Sequence, residues 1–471
     1  MTSRRTTLAL GLLLLFTFAR GVLWANVTAP LDAPDEPSHF NYVVQIREGY
    51  RLPVVDLISP GGLRTPPSTP LNQDVRDYFA RYDYKFFRSM PYESAQPPLY
   101  YWMAALWTVP IPLSAANLPT LLQAVRLLSV LFGTGAVFAL WAACRWIAPG
   151  SVLVWLAPVA LTLSPEFSFT TATVSNDAGV IFWGAALLAI WSWGLSTRYA
   201  QNAHSPRRLL ALAALAGLIT AAGLLTKLTF VATLPATLLW LFWIASPVQE
   251  SLSPRGRSRA WFKLSAVWAG IIALLVGPWV VRNMMVYGEP TGARAIFNLI
   301  HRIYCDRQHF PDSQLFAQFP VDAFIVRSFR SFWALFGWAT VWLNDVVYWL
   351  LAGFAVTSIV GLLTKLRGGG RQLFFSGAGR LNVLCCVTLA LAFVNYLGYN
   401  SLVEFQPHMR YTFVALAPAM LLISAGFANR GSIGWRKVLL WAFVGALVAI
   451  QGVSLFVLAS HTAQVLNVVG K

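Results

Sequence analysis

Apolar runs of about 20 residues, each long enough to cross a bilayer as a helix, alternate along this chain with short polar stretches. Twelve such runs stand out, at 6–24, 97–113, 121–146, 150–165, 177–197, 209–226, 229–246, 263–281, 343–364, 382–400, 411–428 and 437–459. The first follows Arg4 and Arg5, contains Arg20, and has no small-residue cleavage site after it. It therefore predicts an uncleaved spanning helix with a cytoplasmic N-terminus. The pattern as a whole predicts an all-α polytopic membrane protein, one membrane domain over 1–471, with about eleven to thirteen spans and no internal repeat.

The polar stretches sort by charge. Arg4 and Arg5, Arg198 with Arg207 and Arg208, Arg255 to Lys263, Lys365 to Arg380, and Arg430 to Lys437 together hold sixteen cations, accompanied by only one nearby acid, Glu250. The positive-inside rule makes these five segments cytoplasmic. From residue 198 onward the alternation is then self-consistent and leaves the C-terminus outside, so one candidate before 198 is not a simple span; 97–113 and 150–165 are the two candidates for that misfit.

Composition agrees: 57% of the 471 residues are apolar and 11% charged, against roughly 25% charged in soluble domains. The net charge of +17 would suggest nucleic acid in a soluble chain, but here the cations sit at helix ends, and no nucleic-acid partner is expected. Four cysteines without a CxxC pair make neither a disulfide framework nor a zinc site. Cys385 and Cys386 lie in an apolar run and read as lipid-facing or core residues.

One polar segment breaks the rule. Residues 25–96, the first outer loop, hold nine of the eighteen acids against seven cations. A structureless loop of this length is uncommon in a compact domain. The spacing of Phe40, Val43, Val44 and Ile46, and that of Val75, Tyr78, Phe79, Tyr82 and Phe86, predicts two amphipathic helices resting on the outer membrane face. A second outer loop, 282–340, is of mixed charge, and its stretch 323–340 predicts another interfacial helix.

Three groups of residues could carry chemistry. In Pro34-Asp35-Glu36-Pro37-Ser38-His39, an acid before a proline in a first helical turn is ordinary capping. Two tandem carboxylates with an imidazole one turn beyond Asp35 could equally serve a general base or a divalent cation. In Glu93-Ser94-Ala95-Gln96-Pro97-Pro98-Leu99-Tyr100-Tyr101-Trp102, a helix start and an aromatic belt explain most positions, while Glu93 and Gln96 remain free to line a polar cavity. The third group comprises Asn176, Asp177, Lys227, Arg282, Asn283 and the stretch 404–410 at outer helix ends. Helix-end cations often merely snorkel to the headgroups. Yet Lys227, Arg282 and Arg410 share the face of the acidic loop, against the inside bias, as the binding of an anionic headgroup beside a proton-accepting carboxylate requires.

These motifs, in their order and spacing, resemble one family. Asp35-Glu36 after the first span, Gln96-Pro97-Pro98-Leu99-Tyr100-Tyr101, Ser175-Asn176-Asp177, Pro278-Trp279 through Arg282-Asn283 to Tyr287-Gly288-Glu289-Pro290, and Arg410-Tyr411 before a late span are similar to the GT-C integral membrane glycosyltransferases. The likeness is to the bacterial relatives of protein O-mannosyltransferase and lipid A aminoarabinose transferase, and covers nearly the whole chain. It departs from them at Glu36-Pro37-Ser38-His39, where a Glu-x-Tyr-Tyr continuation is common, and in carrying no large soluble C-terminal domain.

The resemblance implies a GT-C-like fold and an enzyme of cell-envelope glycan synthesis that transfers sugar from a polyprenyl-phosphate donor to a lipid, glycan or protein hydroxyl with inversion. The reaction would take place at the outer face of a bacterial inner membrane. Asp35 becomes the candidate base and Glu36 a second catalytic carboxylate. Arg282, Arg410 and Lys227 become candidates for the donor phosphate, and His39, Gln96, Tyr100, Asn176, Asp177 and Asn283 candidates for the cavity wall. Glu36 and His39 are the candidate ligands of a divalent cation, Mg2+ or Mn2+. A secondary transporter or lipid-linked-sugar translocator is the competing expectation, and would place ionisable groups deep in the membrane and repeat its halves. A non-catalytic scaffold would use the acidic loop for docking.

Overall fold

In a computed structural model, the described residues are 3–54, 72–82, 93–196, 206–245, 254–294, 319–369, 375–402, 405–428 and 433–469. They form sixteen α-helices and one two-stranded hairpin. In chain order the helices are α1 Ser3–Val27, α2 Glu36–Arg47, α3 Gln73–Ala80, α4 Leu99–Trp107, α5 Leu118–Ile147, α6 Leu153–Thr162, α7 Pro165–Thr170, α8 Asn176–Leu195, α9 Pro206–Leu224 and α10 Leu234–Ala245. They continue as α11 Pro254–Tyr287, α12 Val321–Trp333, α13 Asp345–Gly369, α14 Gly377–Leu402, α15 Leu416–Ala428 and α16 Ile433–Val469, with strands β1 Leu335–Phe336 and β2 Val341–Trp342 after α12.

Ten helices among the described residues are long and apolar enough to cross a membrane, counting the 3-10 segments that lead into α5, α10 and α15. Hydrogen bonds between distant helix ends bring the end of α1 and the starts of α2, α4, α8 and the segment before α15 to one face. α5 leaves that face and α8 begins on it, so α6 and α7 together make a broken pass between them. Among the described residues this gives eleven passes and puts the start of α1 and the end of α16 on opposite faces. The candidate that does not span is 97–113: its helix α4 has nine residues and ends at Thr108, which hydrogen-bonds back to the carbonyls of Ala104 and Ala105.

In a bilayer the close approach of small residues, more than apolar burial, holds helices together. Gly184 of α8 shows this: a Cβ there would meet the carbonyl oxygen of Val414, so glycine lets α8 approach the 3-10 segment Met409–Ala415. The other close seam is ionic. Arg126 of α5 is fully buried and grips Glu36 through Nε at 2.8 Å and Nη2 at 2.7 Å. The same guanidinium donates to the carbonyls of Ala25, Thr28 and Ala29 at 2.8 Å each. One side chain thus satisfies the free carbonyls at the end of α1 and fixes the start of α2.

The first outer loop folds where its pattern places helices, but deeper than expected. Residues Glu36 to Gln45 of α2 are all buried, so α2 lies inside the protein rather than resting on the membrane face. A second apolar cluster, with Phe40, Tyr42, Val43, Phe79, Tyr101 and Leu121, joins α2, α3 and α4 to the start of α5. The stretch 323–340 is helical only to Trp333; Gly337 and Ala339, at φ of 59° each, then turn the chain into the hairpin. Tyr82 packs on Tyr78; Phe86, Cys305 and residues 295–318 of the second outer loop lie outside the described residues. Cys144 and Cys385 are buried free thiols and Cys386 is exposed.

Candidate active site

The site begins at a turn. Asp35 stands at the N-cap position of α2 with φ 63° and ψ 0° and makes no side-chain cap hydrogen bond, so the capping alternative does not hold for it. Left-handed backbone is tolerated by Asp far better than by branched residues, and such positions cluster at functional sites. The turn aims the carboxylate at Arg410, which pairs with it and also donates from Nη1 to the Pro34 carbonyl at 3.2 Å. Arg410 rides on the 3-10 segment before α15, whose N-cap His408 accepts from the Arg410 backbone N–H.

A second ion pair sits beside the first. Asp177, in the first turn of α8, accepts from Lys227 Nζ at 2.7 Å, and both residues are buried. The Tyr411 ring joins the pairs: the Arg410 guanidinium lies 5.3 Å and Lys227 Nζ 5.5 Å from its centroid. Two cations and two carboxylates from four distant parts of the chain thus meet in one largely desolvated place, where electrostatic terms are strongest. Pro34, Glu166, Phe169, Thr170, Thr173, Ser175, Asp177, His408 and Arg410 line a narrow cleft with room between its walls for about one water molecule.

On the other side of Asp35 lie His39 and Glu93. One ligand atom from each of the three falls within 4.8 Å of the others. His39 Nδ1 is 2.7 Å from the Tyr101 hydroxyl and 3.6 Å from Glu93 Oε2. Burial pushes the His39 imidazole down to about 3, so it is neutral. Burial, then the charge of Asp35, pushes the Glu93 carboxyl up to about 8. Glu93 Oε2 is buried without a hydrogen-bond partner among the described residues. A neutral imidazole, the Asp35 carboxylate and the Glu93 carboxyl, whose Oε2 is the orphaned buried oxygen, fit a divalent cation, whose binding would release the Glu93 proton.

Several expected residues are placed otherwise. Glu36 turns away from Asp35: its oxygens are taken by Arg126 and by the Val174 N–H at 2.9 Å, with no exposure, so it is neither beside the reacting centre nor a ligand with His39. Tyr100 bonds Ser129 at 2.8 Å; its neighbour Tyr101 is the one that reaches His39. Asn176 ties α8 to the Thr226 carbonyl at 3.2 Å, and Gln96 offers its backbone carbonyl to Tyr42 at 3.4 Å. Arg282 holds the carbonyls of Leu52 and Pro53 and the side chain of Asn283 and lies 4.9 Å over Tyr287. Those contacts leave it apart from the Asp35–Arg410 pair.

No protein-family model matches the chain, and no curated protein matches it by sequence. Solved structures do. ArnT from Cupriavidus metallidurans, bound to undecaprenyl phosphate, aligns over 93% of this chain at 13% identity with a TM-score of 0.53. The Archaeoglobus fulgidus oligosaccharyltransferase aligns over 95% at 11% identity in its apo form, also at 0.53, and over 95% at 9% when tethered to an acceptor peptide, at 0.52. The chain has the GT-C fold. It spans 63% of the ArnT chain and 56% of the apo oligosaccharyltransferase chain.

Within this GT-C fold, the residues that sequence reading passed over are instructive. Arg126 hides inside an apolar run, where only its 0% exposure gives it away as structural. Glu166 follows Pro165 in the short α7 and is buried, with Oε2 accepting from the Leu335 N–H at 2.8 Å. An acid in an otherwise apolar 150–170 stretch was the signal available for it.

Proposed function

We propose that this protein is a glycosyltransferase that moves a sugar from a polyprenyl-phosphate donor to an acceptor hydroxyl, on a lipid, glycan or protein. The observation that carries the reading is the meeting of the Asp35–Arg410 and Asp177–Lys227 pairs around the Tyr411 ring, with Asp177 and Arg410 lining a cleft of a GT-C fold. The aligned ArnT binds undecaprenyl phosphate, and a lipid phosphate is the anion that two such cations suit. The described cations Arg4, Arg5, Arg207, Arg208, Arg259, Lys263 and Lys437 stand at the helix ends away from the site, and the positive-inside rule supports reading the site as external, the N-terminus as cytoplasmic and the membrane as a bacterial inner membrane.

In the reaction, the acceptor oxygen forms a bond to the anomeric carbon as the bond from that carbon to the phosphate oxygen breaks. The proton of the acceptor hydroxyl passes to the Asp35 carboxylate. Asp177 and Asp35 stabilise the positive charge that develops on the sugar ring. The phosphate leaves as an anion, and Arg410, which can grip it with two N–H groups, and Lys227 neutralise it. Arg410 exchanges Asp35 for phosphate as the donor enters, which frees the carboxylate for the acceptor. A single displacement inverts the anomeric configuration. Asp35, His39 and Glu93 would hold a divalent cation, Mg2+ or Mn2+, which as a Lewis acid would draw charge from the phosphate.

The test is incubation of purified protein in lipid nanodiscs with undecaprenyl-phosphate sugars labelled in the sugar and a mixture of envelope acceptors. Release of undecaprenyl phosphate matched by label on an acceptor is expected. Movement of intact donor across proteoliposomes without cleavage would replace the transferase reading by transport.

A further inference from the structure

Beside the charged part of the cleft lie two buried groups that the proposed reaction does not use. Glu166 and His408 come from α7 and from the turn before α15, and both line the cleft with Asp177 and Arg410. Each is held from behind. Glu166 Oε2 accepts from the Leu335 N–H at 2.8 Å, which leaves Oε1 facing the cleft. His408 Nδ1 accepts from the Arg410 N–H, which puts the imidazole proton on Nε2. Glu166 Oε1 and His408 Nε2 are buried, have no hydrogen-bond partner among the described residues, and stand 3.8 Å apart. That gap is too long for a hydrogen bond and suits one oxygen atom set about 2.8 Å from each.

We propose that Glu166 and His408 form a two-point clamp for one hydroxyl group of a sugar, through which the cleft distinguishes one sugar from another. The inference rests on the transferase reading, since it takes the cleft's occupant to carry a sugar. A hydroxyl fits whichever way Glu166 is protonated. Against a carboxylate it donates to Oε1 and accepts from His408 Nε2–H; against the acid form it accepts from both. A phosphate oxygen fits only the second case. Burial pushes the His408 imidazole down to about 3 from its ordinary value, so that it brings no net charge to compete with the Asp35–Arg410 pair. Thr170, Thr173 and Ser175 line the same wall. The clamped hydroxyl belongs either to the donor sugar or to a sugar acceptor.

The test uses the full chain in nanodiscs and two substitutions that keep the local frame. His408→Asn retains an oxygen to accept from the Arg410 N–H but withdraws the Nε2 donor; Glu166→Gln retains an acceptor for Leu335 and a donor toward the cleft. The probes are undecaprenyl phosphate, undecaprenyl-phosphate hexoses with their monodeoxy analogues, and octyl hexosides with theirs in the presence of undecaprenyl phosphate. Binding is read by tryptophan fluorescence and folding by thermal unfolding. Wild type is expected to bind one monodeoxy analogue about 10-fold more weakly than its parent sugar. His408→Asn should bind both alike, at the weaker level, while Glu166→Gln keeps the discrimination and undecaprenyl phosphate binds all three proteins equally. Discrimination among lipid-phosphate hexoses assigns the hydroxyl to the donor; among octyl hexosides, to the acceptor. Retained discrimination in folded His408→Asn overturns the clamp alone. A wild type that binds undecaprenyl phosphate but distinguishes no sugar overturns the clamp together with the transferase reading.

Discussion

Asp35 and Glu36 are neighbours with opposite fates, and conservative amides at the two positions separate chemistry from architecture. Asn at position 35 tolerates the left-handed backbone as Asp does, whereas Ala would add about 1–2 kcal/mol of strain. Asp35→Asn loses the ion pair, but its side chain is 21% exposed, and Arg410 keeps the Pro34 carbonyl and the Tyr411 ring, so the expected stability loss is about 1 kcal/mol. Its rate of sugar transfer should fall about 100- to 10,000-fold, the usual worth of a general base. Glu36→Gln removes the charge from a pair in which neither side chain has any exposure. The Arg126 guanidinium is then left buried and uncompensated, at a cost of about 3–5 kcal/mol. Thermal unfolding and the transfer rate per folded molecule, measured on both variants, give the answer. A folded Asp35→Asn with more than a tenth of wild-type activity, or a Glu36→Gln as stable as wild type yet inactive, would refute the division of roles.

Other substitutions test the surrounding groups. Arg410→Lys should keep the charge but lose the two-point grip, raising the KM for the lipid-phosphate donor about 10-fold or more, while Arg282→Lys, on the carbonyls of Leu52 and Pro53, should change it less than threefold; equal effects would put Arg282 at the phosphate. His408 is neutral in the folded protein down to about pH 3 but takes a proton below about 6.5 when unfolded. Its contribution is therefore intact above 6.5 and lost as pH falls toward 3, with a limiting slope of about 1.4 kcal/mol per pH unit; thermal melts of His408→Asn should show a shallower acid limb, and an unchanged limb would show that the imidazole does not stay neutral. Mn2+ should raise the melting temperature of wild type and not of Glu93→Gln, and equal shifts would place the ion elsewhere.

How far the sequence spoke depended on which physical signal it carried. Apolar runs report membrane crossing directly, and the broken α6–α7 pass and the short α4 fell at the two segments whose charge alternation did not close. Asp35, Lys227, Arg410 and Asp177 were legible because charges at the ends of apolar helices, on the face that disfavours cations, need a reason. Glu36 was not: which of two tandem carboxylates faces the cleft is decided by the positive φ of Asp35 and by Arg126, 90 residues away. The depth of α2 was hidden for a related cause. Its buried Ser38, His39, Asn41 and Gln45 look polar in a pattern, but His39 meets Tyr101 of α4 at 2.7 Å and Gln45 accepts from Ser94 at 2.9 Å, contacts that no pattern within α2 shows. Glu166 and His408 acquire meaning only from the 3.8 Å between them.

The most direct measurement is an experimental structure of the protein with undecaprenyl phosphate bound in nanodiscs. The account predicts the phosphate within hydrogen-bond reach of Arg410 and Lys227, with Asp35 released from its ion pair and the isoprenoid chain running out between helices into lipid. A phosphate seated at Arg282 or elsewhere, with the Asp35–Arg410 pair intact, would contradict it.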